Sequence, residues 1–203
     1  MNDPANIRRR RLLLGLAVLP VSGLAAIETP SATEGPFYPT AGMRFDDIDN
    51  DLVKIGSRVK QAGGEIVRLE GRVLDGSGNP VAGARVEIWQ CDVNGRYLHR
   101  GDVGGPERDR GFQGFGQDTT AGDGRYSFRT IKPVPYTGRT PHIHAKVRVG
   151  GRDRLTTQFY LPDHPMNRRD RLYRRIPEDR RKLVTMRFEQ TGAEPTATLD
   201  IYV

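Results

Sequence analysis

The chain has one cysteine, Cys91, and four histidines in 203 residues. A lone thiol excludes an internal disulfide framework, and it excludes Cys-rich zinc and iron–sulfur sites as well. Aromatic residues make up 7%. No internal repeat is present, so solenoid and propeller architectures drop out. No RNA- or DNA-binding motif accompanies the net charge of +7. The one long apolar run, Leu12 to Ala26, spans fifteen residues and is broken by Pro20. That is too short for a comfortable membrane span. What is abundant is turn chemistry, with 24 glycines and 14 prolines. This disfavours a helical bundle and favours many short elements joined by turns. Hydrophobic residues at 36% are enough for a core, and the length suits one domain.

Arg8-Arg9-Arg10-Arg11 precede the apolar run, and small residues close it at Gly23-Leu24-Ala25-Ala26. A basic stretch, an apolar stretch and small residues read as an export signal. The arginine pair before Leu12-Leu13 gives it a twin-arginine character. Residues 1–26 are therefore expected to be an export signal and 27–203 the folded domain. The protein is expected in the periplasm or outside the cell, with membrane contact only through an uncleaved signal. Seven arginines between Arg168 and Arg181 sit among Asp170, Glu178 and Asp179, which reads as a solvated face or an interface rather than a nucleic-acid site.

Residues 27–66 are loop-rich, with no assigned element. From Val67 the pattern predicts seven strands: Val67–Leu74, Ala84–Cys91, Arg125–Phe128, His142–Val149, Leu155–Leu161, Leu183–Glu189 and Thr196–Val203. Residues 167–182 have room for a short helix. The stretch Gly101 to Gly116 reads as a long functional loop. The expected fold is all-β, an antiparallel β-sandwich with long functional loops and little helix.

Arg139-Thr140-Pro141-His142-Ile143-His144-Ala145-Lys146-Val147-Arg148-Val149 is the most informative segment. Alternation places Ile143, Ala145, Val147 and Val149 on one face and His142, His144, Lys146 and Arg148 on the other. Two imidazoles two residues apart on a strand are natural co-ligands, although such a pair also suits a plain polar sheet face. His99 and His164 are too scattered to complete a three-histidine site. Nearby candidates are Tyr136, Arg139, Gln158 and Tyr160, with Tyr97 further back. A tyrosine bound as phenolate at neutral pH needs a strongly Lewis-acidic centre, and a hard trivalent iron suits that donor. Each tyrosine taken alone also fits a half-buried ring with a bonded hydroxyl.

Four collinear motifs carry a resemblance: Thr33-Glu34-Gly35-Pro36-Phe37-Tyr38-Pro39, Val86-Glu87-Ile88-Trp89-Gln90-Cys91-Asp92 through Tyr97, Tyr136-Thr137-Gly138-Arg139-Thr140-Pro141-His142-Ile143-His144, and Leu155-Thr156-Thr157-Gln158-Phe159-Tyr160. Together they resemble the intradiol ring-cleavage dioxygenases, in particular the protocatechuate 3,4-dioxygenase subunits. The resemblance implies a mononuclear non-haem Fe(III) held by Tyr97, Tyr136, His142 and His144, with Tyr136 axial opposite His144. It implies catalytic roles for Tyr136 and Arg139, and a substrate pocket bordered by Gly35, Pro36, Arg139 and Gln158. The implied substrates are a small catechol-type aromatic diol and O₂, and the implied product is a cis,cis-muconate-type diacid. The compact Tyr136-to-His142 segment resembles the shorter single-chain members, with which a homo-oligomer is compatible. A second reading comes from Val67 to Val86, which resembles the opening of transthyretin-like sandwiches. It would make the chain a non-catalytic secreted or carbohydrate-binding module, and it leaves the four candidate ligands unexplained.

The hairpin around Gly150-Gly151 leaves a register question. A two-residue turn alone would set Thr157 opposite His144, whereas a one-residue slip sets Gln158 there. The resemblance favours Gln158.

Overall fold

Period-2 sequence becomes strand wherever one face can be buried, and nine strands form among the described residues. In chain order they are β1 (Ile66–Leu74), β2 (Arg85–Trp89), β3 (Phe115–Thr119), β4 (Arg125–Ile131), β5 (His142–Val149), β6 (Arg152–Tyr160), β7 (Arg187–Glu189), β8 (Thr196–Thr198) and β9 (Ile201–Tyr202). The computed structural model describes residues 27–58, 60–190 and 192–203, and the expected export signal lies outside them. Among the described residues no helix is long and apolar enough to cross a membrane.

The strands make two sheets. One runs β4-β1-β8-β7 with β9 also on β1, and the other runs β3-β2-β5-β6. Leu69, Val73, Tyr126 and Phe128 from the first meet Val86, Ile88, Ile143, Ala145, Val147 and Phe159 from the second in one apolar core. This is the all-β sandwich expected from the turn-rich sequence. Among the described residues helix is confined to α1 (Arg171–Arg174) and three short 3-10 turns, so the room for a helix within 167–182 is taken up by one turn of α-helix and parts of two 3-10 segments.

Several boundaries need correction. The last predicted strand, Thr196–Val203, splits into β8 and β9, and both run parallel to β1. The break falls at Leu199-Asp200, where the Asp200 carboxylate accepts the Arg72 backbone N–H at 2.9 Å. The predicted strand Leu183–Glu189 shortens to β7, because Glu178–Leu183 closes as a 3-10 turn. β3 begins inside the stretch expected as loop, Gly101 to Gly116, and lies outside the predicted strands, because Phe-Gly-Gln-Asp-Thr has no apolar alternation. Residues 27–66 are more than a loop. Leu52 and Val53 are fully buried in the core, and the Leu52 N–H donates to the Arg129 carbonyl at 2.8 Å.

Gly71 fixes where β1 meets the C-terminal segment. A Cβ there would lie 1.8 Å from the Leu199 carbonyl oxygen, which accepts the Tyr126 hydroxyl at 2.7 Å. Gly71→Ala should therefore cost about 2–3 kcal/mol, the usual scale of overpacking. Urea denaturation checks this, and a parent-like midpoint would mean that Leu199 packs elsewhere.

Candidate active site

Ile143, Ala145 and Val147 point into the core, so pleating turns His142 and His144 to the opposite face of β5. That face is also buried, with His142 at 1% and His144 at 2% exposure. The two Nε2 atoms converge to 3.1 Å. His142 Nδ1 is 2.6 Å from the Thr140 carbonyl, which can only accept, so this nitrogen carries the proton and leaves the Nε2 lone pair free. Burial, with the Arg139 charge adding to it, pulls the His142 imidazole down to about 4. His144 is held well below the usual range by burial first, then by His142 and Arg139. Neutral imidazoles are the ligand form of histidine.

The neighbour of His144 on β2 is Trp89, whose ring stacks on the imidazole at 4.7 Å and 13°. On the other side Gly35 approaches so closely that a Cβ would sit 3.4 Å from His144 Cε1. Gly35 holds φ +75°, a conformation that suits glycine. The loop it opens runs through exposed Pro36 to Phe37, whose ring stacks on Tyr97 at 5.1 Å and meets Tyr136 edge-on. A Lys146–Glu34 ion pair ties this loop across β5.

Both tyrosines face the histidines. The Tyr97 ring lies 5.2 Å from Tyr136 and 5.9 Å from His144, and Tyr136 lies 5.7 Å from His142. The Tyr97 hydroxyl is buried and makes no hydrogen bond among the described residues. Burial, then the nearby Cys91 and Tyr136, holds its ionisation well above the usual phenol range. Burial also raises Tyr136, against the pull of Arg139 toward phenolate. Tyr136 begins a tight turn in which Gly138 takes φ +76° and the Arg139 N–H returns to the Tyr136 carbonyl. Burial pushes the Cys91 thiol up to about 12, and its Sγ donates to the Val134 carbonyl at 3.6 Å.

Gln158 stands directly opposite His144. The hairpin does have two turn residues, but the register shifts by one between Val147 and Arg148. This bulge answers the register question in favour of Gln158. The Gln158 Oε1 accepts Arg139 Nη2 at 2.7 Å and the Tyr160 hydroxyl at 2.9 Å. The same guanidinium donates through Nε to Asp170 Oδ2 at 2.8 Å.

The four rings thus turn two imidazole nitrogens and two phenol groups toward one buried spot. An unpartnered buried hydroxyl is costly, and a cation at that spot would satisfy it as phenolate. Among the described residues no group of three His, Cys, Asp or Glu could hold a metal ion, so a metal here needs the tyrosines. Two phenolate oxygens suit a hard, strongly Lewis-acidic ion. A cleft of about 920 Å³ opens beside Tyr136, lined by Phe37, Arg96, Asp102, Val103 and Met166 among others. Part of the expected functional loop, Asp102 to Pro106, forms its wall.

Residues 33–200 match the family model described as dioxygenase. The chain is 37% identical over 157 residues to the protocatechuate 3,4-dioxygenase beta chain of Burkholderia cepacia, covering 72% of this chain and 66% of that one. The chain belongs to the intradiol ring-cleavage dioxygenase family. It is also similar to the hydroxyquinol 1,2-dioxygenase of a Rhizobium species, 31% identical over 184 residues, covering 81% of this chain and 61% of that one. The dioxygenase domain of a carbohydrate-binding fusion protein from Streptomyces sp. SirexAA-E aligns with a TM-score of 0.64 at 30% identity, covering 87% of this chain and 98% of that one. The chain spans about half to two thirds of the length of the first curated relatives that it matches. Members of this family use non-haem Fe(III), and the donor set here suits that ion.

Sequence reading missed two residues in this neighbourhood. In the sequence Asp170 stands out only as charge within the arginine run, although an Asp before a short helical stretch is an N-cap signal. Phe37 lies within the first motif with no role of its own in the sequence, yet it contacts both tyrosines.

Proposed function

We propose that this protein is a Fe(III)-dependent intradiol dioxygenase that opens a catechol-type aromatic diol with O₂ to a cis,cis-muconate-type diacid. The carrying observation is the convergence of His142, His144, Tyr97 and Tyr136, with the Tyr97 hydroxyl unbonded among the described residues. In the overall reaction the carbon–carbon bond between the two hydroxyl-bearing carbons breaks, and both atoms of O₂ enter the product. Those four residues would hold ferric iron, which would supply Lewis acidity toward the diol oxygens.

The remaining work falls to side chains. Tyr136 is the more exposed phenol and sits beside Arg139, so its phenolic oxygen is the group placed to take a diol proton. Arg139 keeps its charge throughout, and its donors not used by Asp170 and Gln158 remain for negative charge developing on the ring. Gly35 and Pro36 border the diol, and Phe37 and Trp89 keep water off the ligands. The arginine-led segment Arg8 to Ala26 supports export as the destination, with the iron seated before transport.

The two tyrosines separate by experiment. Tyr97→Phe should lose iron and visible absorption, because that oxygen has no substitute. Tyr136→Phe should retain more iron but lose turnover roughly 10²-fold or more, the scale of a removed proton acceptor. Iron content, visible spectra and oxygen uptake on a panel of catechols check both. Equal iron loss in the two variants would reverse the division of roles, and full activity in both would remove the tyrosines from the site.

A further inference from the structure

Asp170 lies 31 residues from Arg139 in sequence, and its carboxylate is 1% exposed. Four donors converge on it. Oδ1 accepts the Leu172 and Tyr173 backbone N–H groups at 2.9 and 3.0 Å, capping α1. Oδ2 accepts Arg139 Nε at 2.8 Å and the Thr140 N–H at 2.9 Å. Three residues earlier, Asn167 accepts the Thr140 hydroxyl at 2.7 Å and donates to the Leu161 carbonyl at 3.0 Å. The segment 167–173 therefore grips the short stretch between the Tyr136 turn and β5.

We infer that Asp170 is a positioning residue, which aims the Arg139 guanidinium by fixing its Nε edge while Gln158 fixes one Nη. The inference rests on the role proposed above for Arg139. A guanidinium is a planar fork, so two fixed points set its plane and the direction of its remaining donors. Without Asp170 the arginine keeps its charge but can swing on a long flexible stem. An ion pair this buried also leaves its cation unpaired when the acid is lost, which favours rotation toward solvent. The acid touches neither diol nor proposed ligand, but it also holds the Thr140 N–H, so the part of its effect that passes through Arg139 is isolated by the double-mutant cycle below.

A plain helix cap predicts something different. Asn and Ser cap as well as Asp, so a capping role survives either replacement. Ser also cannot span to the guanidinium. Positioning predicts that Asp170→Asn and Asp170→Ser keep the fold, the iron and the visible spectrum, while turnover falls roughly 10- to 100-fold, the scale of a misplaced catalytic group. KM for catechol should move much less than kcat.

The test is a double-mutant cycle with Arg139→Met on iron-loaded protein. Adding Asp170→Asn to Arg139→Met should give no further loss of turnover, since nothing remains to be aimed. Thermal midpoints of the iron-free proteins give a second reading, in which the double variant should fall by less than the sum of the singles. This covers the case in which Asp170→Asn alone folds poorly. Multiplied losses of turnover, or parent turnover in the Asp170 variants beside an impaired Arg139→Met, would overturn the inference alone. Parent turnover in Arg139→Met would remove the role of Arg139 and this inference with it.

Discussion

Replacing either His142 or His144 by alanine should strip the protein of iron and colour together. Their Nε2 atoms meet 3.1 Å apart on a strand whose other face is locked into the core. β5 is paired on both sides, by β2 and β6, so the backbone has little freedom to bring another donor forward. Among the described residues no neighbouring cluster of His, Cys, Asp or Glu stands ready to replace a lost nitrogen. Losing a mere supporting residue costs metal sites 10–100-fold in affinity, so a lost ligand should cost more than about 10²-fold. Metal analysis and visible spectra on the folded variants check this. Parent iron content in a folded His144→Ala protein would place the metal elsewhere.

Arg139→Met should leave iron and colour in place while turnover falls roughly 10²-fold or more, the cost of removing one charge-stabilising donor. Arg139 is not among the proposed ligands; its guanidinium donates to Asp170 and Gln158. Methionine keeps the length of the stem and removes every donor. Lysine should restore part of the rate, because a point charge returns without the planar fork. Steady-state oxygen uptake, with iron measured on the same samples, separates the outcomes. A colourless Arg139→Met protein would make the arginine structural, and parent turnover would make it dispensable.

The legible parts of the fold were those set by local pattern. The alternation in His142–Val149 fixed which face each histidine takes, because one residue of slip would bury Lys146 in the core. The turn clusters at Asp75–Pro80 and Gly122–Gly124 marked where strands had to end. Less legible was whatever depends on distant contacts. β3 is a strand because β2 offers it a partner, and Gly116 is tolerated there because Leu52 and the Asp49 carbonyl press against it. The split between β8 and β9 reflects the close approach at Gly71, which no alternation reports.

The site divides in the same way. His142 and His144 announce themselves by spacing, whereas Tyr97 and Tyr136 became candidates for one site chiefly through the collinear motifs. Their rings meet only after the chain from Tyr97 to Tyr136 has crossed both sheets through β3 and β4. The placement of Gln158 hung on one bulged residue, Arg154, which the local pattern does not announce and only the resemblance favoured. Asp170 was hidden because its N-cap role is local, while its bond to Arg139 is not.

Oxygen uptake and product analysis on the iron-loaded protein with catechol test the central claim most directly. Intradiol chemistry predicts one O₂ consumed per diol and a cis,cis-muconate diacid carrying both oxygen atoms when ¹⁸O₂ is supplied. An oxidised quinone, a ring-opened aldehyde, or no oxygen uptake across catechol, protocatechuate and hydroxyquinol by fully iron-loaded protein would contradict it.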